Sequence, residues 1–203
     1  MSAYPQPRLT PEQYLEIERA AEFRSEYYNG RMFAMSGGSG PHAFITANCV
    51  GELGNRLKDR PYRVAGIDLR VRASASGLHT YPDISVLCVE PQFADRHTDT
   101  LVNPALIVEV FSPSTEAYDR GFKFAQYRTL ESLQEYVLVS ETEPRVEVFR
   151  RQPNGDWLLA EYVGLNATCR LESAACAIPL AEIYDKVTFP AEEEPSDHPS
   201  PGA

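Results

Sequence analysis

The stretch "NPALIVEVFSPST", residues 103 to 115, constrains this chain more than any other. From Ala105 to Phe111 every side chain is apolar except Glu109. A near-continuous apolar run of this kind suits a strand covered on both faces, as in the sheet of an α/β domain. Burying an unpaired carboxylate in such a strand costs on the order of several kcal/mol even after the surroundings relax. The acid therefore needs a partner or a task.

The neighbouring segments fill in the architecture. "LTPEQYLEIERA" predicts a short helix, with Thr10 as N-cap, Pro11 at the first helical position and Gln13 completing a capping box. "EYYNGRMFAM" reads as a hairpin turning at Asn29-Gly30. Between His42 and Leu57 the apolar residues Phe44, Ile45, Val50, Leu53 and Leu57 recur at helical spacing. "YRVAGIDLRVRA" and "YPDISVLCV" have strand composition, "DRGFKFAQYRTLE" reads as a helix beginning at Asp119, and "EYVLVS" is another buried strand. "RVEVFRRQPNGDWLLAEYV" is a second hairpin, with Asn154-Gly155 at its turn. Helix, three strands, helix, strand is the order of an α/β domain with a mixed central sheet. The expected organisation is one domain over residues 1–190, followed by a Pro-, Ser- and acid-rich tail, 191–203, of disordered composition.

Charge and cysteine content narrow the function classes. The formal net charge is −10, and Glu192, Glu193, Glu194 and Asp197 of the tail account for only part of it. Tight non-specific binding to nucleic acid, which relies on Lys and Arg neutralising phosphates, does not fit such a chain. A polyanionic partner must meet a local basic patch or a metal ion. Cys49, Cys88, Cys169 and Cys176 show no zinc-ligand spacing and read as reduced, structural thiols. No apolar run approaches the roughly 18 residues of a membrane-spanning helix. "MSAYPQPRLTPEQYLEIERA" lacks the basic and apolar regions of a secretory signal, so the expectation is a cytoplasmic protein without a membrane partner.

Asp83, in "YPDIS", lies at the start of a strand, and Glu109 lies in the next strong one. A hairpin through "EPQFADRHTDTLVNP" would bring the two acids together. Two carboxylates at one sheet edge repel, so one is protonated or a cation lies between them. A hard cation such as Mg²⁺ or Mn²⁺ suits an all-oxygen site that keeps positions for water. The alternative is a structural ion pair of Glu109 with Arg70 or Arg72. Lys123, on the following helix, falls near the end of the Glu109 strand and could orient a metal-bound water or stabilise a phosphate. Ser112, Ser114 and Thr115 read as turn-shaping residues, and Tyr127, four residues after Lys123, as a packing residue.

"YPDISVLC … NPALIVEVFSPST … YDRGFKFAQYR … EYVLVS" resembles the Uma-type restriction endonuclease family of bacteria, within the PD-(D/E)XK nuclease superfamily. The likeness runs from about residue 8 to residue 186 and includes "EYYNGRMFAMSG" and His42. It implies a restriction-endonuclease-like fold, a mixed central sheet flanked by helices with additional N- and C-terminal hairpins. It also implies Mg²⁺-dependent (or Mn²⁺-dependent) hydrolysis of DNA phosphodiesters, usually by a homodimer. Asp83 and Glu109 match the metal-binding acids, and Lys123 a relocated catalytic lysine, because the usual lysine position is Phe111. Glu26 and His42 match accessory positions. The competing reading is an inactive nucleic-acid- or protein-binding module on the same fold.

Overall fold

A computed structural model describes residues 8–73 and 77–189. The tail expected at 191–203 lies outside the described residues. Helix α1 (Pro11–Ala20) opens with the expected capping box: Thr10 Oγ1 accepts from the Gln13 amide while the Gln13 side chain accepts from the Thr10 amide. Strands β1 (Ser25–Tyr28) and β2 (Arg31–Ala34) form the first hairpin. Asn29 and Gly30 at its turn both have positive φ, 47° and 83°, which is why Asn-Gly stands there. Helix α2 (Gly40–Leu57) starts at the Ser39 cap.

The segment expected to be one strand, "YRVAGIDLRVRA", is two. Strand β3 (Arg63–Gly66) and strand β4 (Arg70–Arg72) are divided by a turn closed by Leu69 N–H to Gly66 O, 3.2 Å, and they join different sheets. After them come β5 (His79–Thr80), β6 (Ile84–Leu87), β7 (Thr100–Leu101) and β8 (Leu106–Phe111). A π-helical turn, Tyr118–Lys123, runs into helix α3 (Phe124–Tyr127). The chain ends with β9 (Glu135–Ser140), β10 (Arg145–Arg151), β11 (Trp157–Val163), the small hairpin β12 (Thr168–Leu171) and β13 (Cys176–Pro179), and helix α4 (Leu180–Ile183).

The central sheet has the order β11-β10-β9-β8-β6-β3. It is mixed: β8 and β9 are parallel, and the remaining pairs are antiparallel. The N-terminal hairpin belongs to a second sheet, β2-β1-β5-β4-β7. Strand β8 explains its own composition. Leu106, Val108 and Val110 face a core completed by Ile45, Cys49 and Leu53 of α2. Ile107 and Phe111 face the opposite core with Tyr127, Tyr136 and Leu138. Both faces of the strand are covered, and Glu109 points toward the second core, only 3% exposed.

Candidate active site

The site forms where β6 begins and β8 ends. The β6–β8 ladder pairs Val86 with Leu106 and Ile84 with Val108, then stops. At the next position the Asp83 side chain replaces the backbone: Oδ2 accepts the Val110 N–H at 2.7 Å. This bond tethers Asp83 beside the last turn of the Glu109 strand. Because the N–H and C=O of one strand residue point the same way, the Val110 carbonyl also faces the side where β6 has ended.

His42, in the first turn of α2, approaches Asp83 Oδ2 at 3.3 Å through Nε2. Its position is set by the helix cap, because the His42 amide donates to Ser39 Oγ at 3.1 Å. The bond to Asp83 raises the His42 pKa above the ordinary imidazole value despite the opposing effect of burial. Glu141, which accepts from Ser39 Oγ at 2.8 Å, adds negative charge on the same side.

Glu109 is answered by a lysine. The alternative partners Arg70 and Arg72 are not used: Arg70 is buried elsewhere, donating to Tyr81 and Thr100. Lys123 Nζ lies 3.1 Å from Glu109 Oε1, 3.1 Å from Asp119 and 3.8 Å from Glu26. Burial lowers the pKa of this ammonium, but the carboxylates of Glu109, Asp119 and Glu26 outweigh it and hold the group above the ordinary lysine range. For Glu109 the balance goes the other way. Burial pushes its pKa up to about 8, with Asp119 and Asp83 adding repulsion that Lys123 only partly offsets.

The π-helical turn makes this cluster possible. The expected helix beginning at Asp119 starts earlier, within Thr115–Glu116, and widens, so that Phe124 N–H donates to Asp119 O five residues back. Asp119 and Lys123 are thereby both turned inward and buried. Tyr127, expected only to pack, donates from its hydroxyl to Glu109 Oε1 at 2.8 Å. Glu26, from the second sheet, accepts from Thr80 and from the Tyr118 hydroxyl, the latter at 2.7 Å. Ser112 and Thr115 bond each other's backbone across the strand-to-helix turn, as expected of turn-shaping residues.

Asp83, Glu109, Lys123, Glu26 and His42 thus line one cleft of about 450 Å³, together with Tyr118, Asp119 and Glu141. Asp119 stood in the sequence as the start of the helix and Tyr127 by its spacing of four from Lys123, but Tyr118 carried no signal beyond its aromatic type. None of Arg56, Lys58, Arg60, Arg63, Arg70, Arg72 and Arg120 lines this cleft. Arg56, Arg63 and Arg120 are paired with acids, and Arg60 donates to backbone carbonyls.

The donor set suits a hard divalent ion. Asp83 Oδ1 and Glu109 Oε2 take no hydrogen bond among the described residues, and the Val110 carbonyl offers a third oxygen. No group of three or more His, Cys, Asp or Glu gathered to hold a metal occurs among the described residues. One or two carboxylates, with water and phosphate completing the shell, is how Mg²⁺ is usually held. No helix among the described residues is long and apolar enough to cross a membrane.

Comparison with known proteins bears on the family and the fold. An uncharacterized protein of Synechocystis sp. (strain ATCC 27184 / PCC 6803 / Kazusa) is 38% identical over 188 residues, covering 91% of this chain and 96% of the relative. A second uncharacterized protein of the same organism is 36% identical, over 78% of this chain and 90% of the relative. The crystal structure of a "putative nuclease belonging to DUF820" from Anabaena variabilis ATCC 29413 superimposes with a TM-score of 0.69 at 21% identity, covering 85% of this chain and 96% of that one, and shows the same fold. The family model Uma2, described as "Putative restriction endonuclease", matches residues 11–179, and the chain belongs to that family.

Proposed function

We propose that this protein is a divalent-metal-dependent nuclease that hydrolyses phosphodiester bonds in DNA. One observation carries the reading: Asp83, just before β6, and Glu109, on the neighbouring β8, line an open cleft with one unbonded oxygen each, and a buried ammonium stands beside them. Asp83, Glu109 and the Val110 carbonyl would hold Mg²⁺ or Mn²⁺. The ion would supply charge neutralisation to the phosphate and an acidified water.

The chain's own residues have defined tasks. Lys123 keeps its proton, so it serves as a hydrogen-bond donor and a fixed positive charge and not as a base. Lys123 and Tyr127 both fasten Glu109 Oε1, which leaves Oε2 directed to other partners. His42, protonated beside Asp83 over a wider pH range than a free imidazole, adds positive charge for the phosphate. Glu26 acts as an accessory residue by holding Lys123 and Tyr118 in place. The proposed compartment is the cytoplasm. A homodimer is the proposed assembly.

A second reading, an inactive nucleic-acid- or protein-binding module, draws support from Lys123 itself, which already supplies a cation to three acids. Two measurements separate the readings. Wild-type protein with Mn²⁺ is expected to nick supercoiled plasmid or degrade heat-denatured DNA, and Asp83→Ala and Glu109→Ala to abolish this. Cleavage that persists in both variants would place the activity elsewhere. Calorimetry showing no uptake of Mg²⁺ or Mn²⁺ at millimolar levels would favour the inactive module.

A further inference from the structure

Resting on the nuclease reading, we propose that the strand this cleft accepts is single-stranded DNA, with a base stacked on Phe33, beside Tyr118. The first argument is charge. Five carboxylates line the cleft, those of Glu26, Asp83, Glu109, Asp119 and Glu141, against the side chains of Lys123 and His42 alone. Both cations are engaged, Lys123 with three acids and His42 with Asp83. No arginine lines the cleft. The cleft walls present no row of Lys and Arg to neutralise phosphates of a duplex or of a single strand, so binding beyond the proposed metal must come from contacts to bases, which only an unpaired strand exposes.

The second argument is what stands beside the cleft instead. Phe33 pairs with Glu26 in the β1–β2 ladder, so the two side chains share one face of the sheet, and the Phe33 ring is 49% exposed. Tyr118, 37% exposed, is fixed in place, with Lys123 Nζ over its ring at 5.7 Å. Its ring stacks on Phe122 at 5.3 Å with a 17° interplanar angle, and Phe122 in turn meets Tyr28 edge-on. The Tyr118 hydroxyl is held by Glu26. The two rings therefore flank Glu26, next to the proposed reacting centre. Aromatic faces bind bases of any sequence when the bases are unpaired and free to leave the stack.

The third argument is space. A volume of about 450 Å³ lies within the roughly 300–1,000 Å³ of small-ligand pockets, which suits one or two nucleotides of a thin strand. The Ser36–Ser39 approach runs close against His42 on one side: a Cβ placed on Gly38 would meet His42 Nδ1 at 2.7 Å.

The test is a short fluorescein-labelled oligonucleotide, alone and annealed to its complement, incubated with the protein and Mn²⁺. The expected result is cleavage of the lone strand at least about tenfold faster than of the duplex, the scale set by stacking a base on an aromatic ring. Phe33→Ala should lower kcat/KM on the lone strand about tenfold, Phe33→Trp should restore it, and Mn²⁺ affinity by calorimetry should not move. Equal or faster cutting of the duplex, or an unaltered Phe33→Ala, would overturn this inference and leave the nuclease reading standing. Failure of the wild type to cut either form would remove both.

Discussion

Glu109, Asp119 and Glu26 surround one ammonium at 3.1, 3.1 and 3.8 Å, so a single positive charge answers three negative ones. The deficit falls on Glu109, whose pKa is about 8 in the folded protein against 4.5 as a free side chain. Between those values the folded state keeps a proton that the unfolded chain has released. This contribution to stability is full below about pH 4.5 and is lost as pH rises through 8. Glu109→Gln should therefore be the more stable protein in metal-free buffer at about pH 9, by about 1–3 kcal/mol, with the difference closing toward pH 4. Thermal melts of both proteins across that range check it, and parallel curves would refute the assignment. Glu109 was legible in the sequence because an acid interrupts an apolar run. Its partner was not, because the apolar run says that an acid is enclosed without saying what reaches it.

Helix α2 and the π-helical turn show how local signals carry or fail. Ser39 precedes α2 as a cap, and its hydroxyl accepts the His42 amide and donates to Glu141. Ser39→Ala is expected to cost about 1 kcal/mol, read as a lower urea midpoint at unchanged m-value. Nuclease activity should fall with it, because the cap also sets His42. The helix over "DRGFKFAQYR" was legible from its spacing, but the wide turn was not. The i→i+5 bond from Phe124 to Asp119 goes together with the buried ion pairs of Lys123 with Asp119 and Glu109, which no local pattern encodes. The break between β3 and β4 was hidden for a related reason. Strand composition was correct on both sides, but the pairing partners, β6 for one and β5 with β7 for the other, belong to different sheets, which composition does not specify.

The whole molecule is built around β8 and β9, each of whose residues is buried. Hydrogen exchange should be slowest in these two strands and fastest in α1 and the β12–β13 hairpin, which stand outside the central sheet. Fast exchange in β8 would contradict a core organised on both of its faces. The mixed sheet could be anticipated from two apolar runs separated by a helix. The second sheet could not, because its strands are short pieces drawn from both sides of α2. The link between β8 and β9 has a further consequence, because these strands are parallel and the segment bearing Lys123 is the bridge that lets them align. Assembly of the scaffold and delivery of the ammonium are one event. A chain that has zipped those two strands already holds its charge cluster, and lesions that spoil the bridge should surface as poor expression before they surface as lost catalysis.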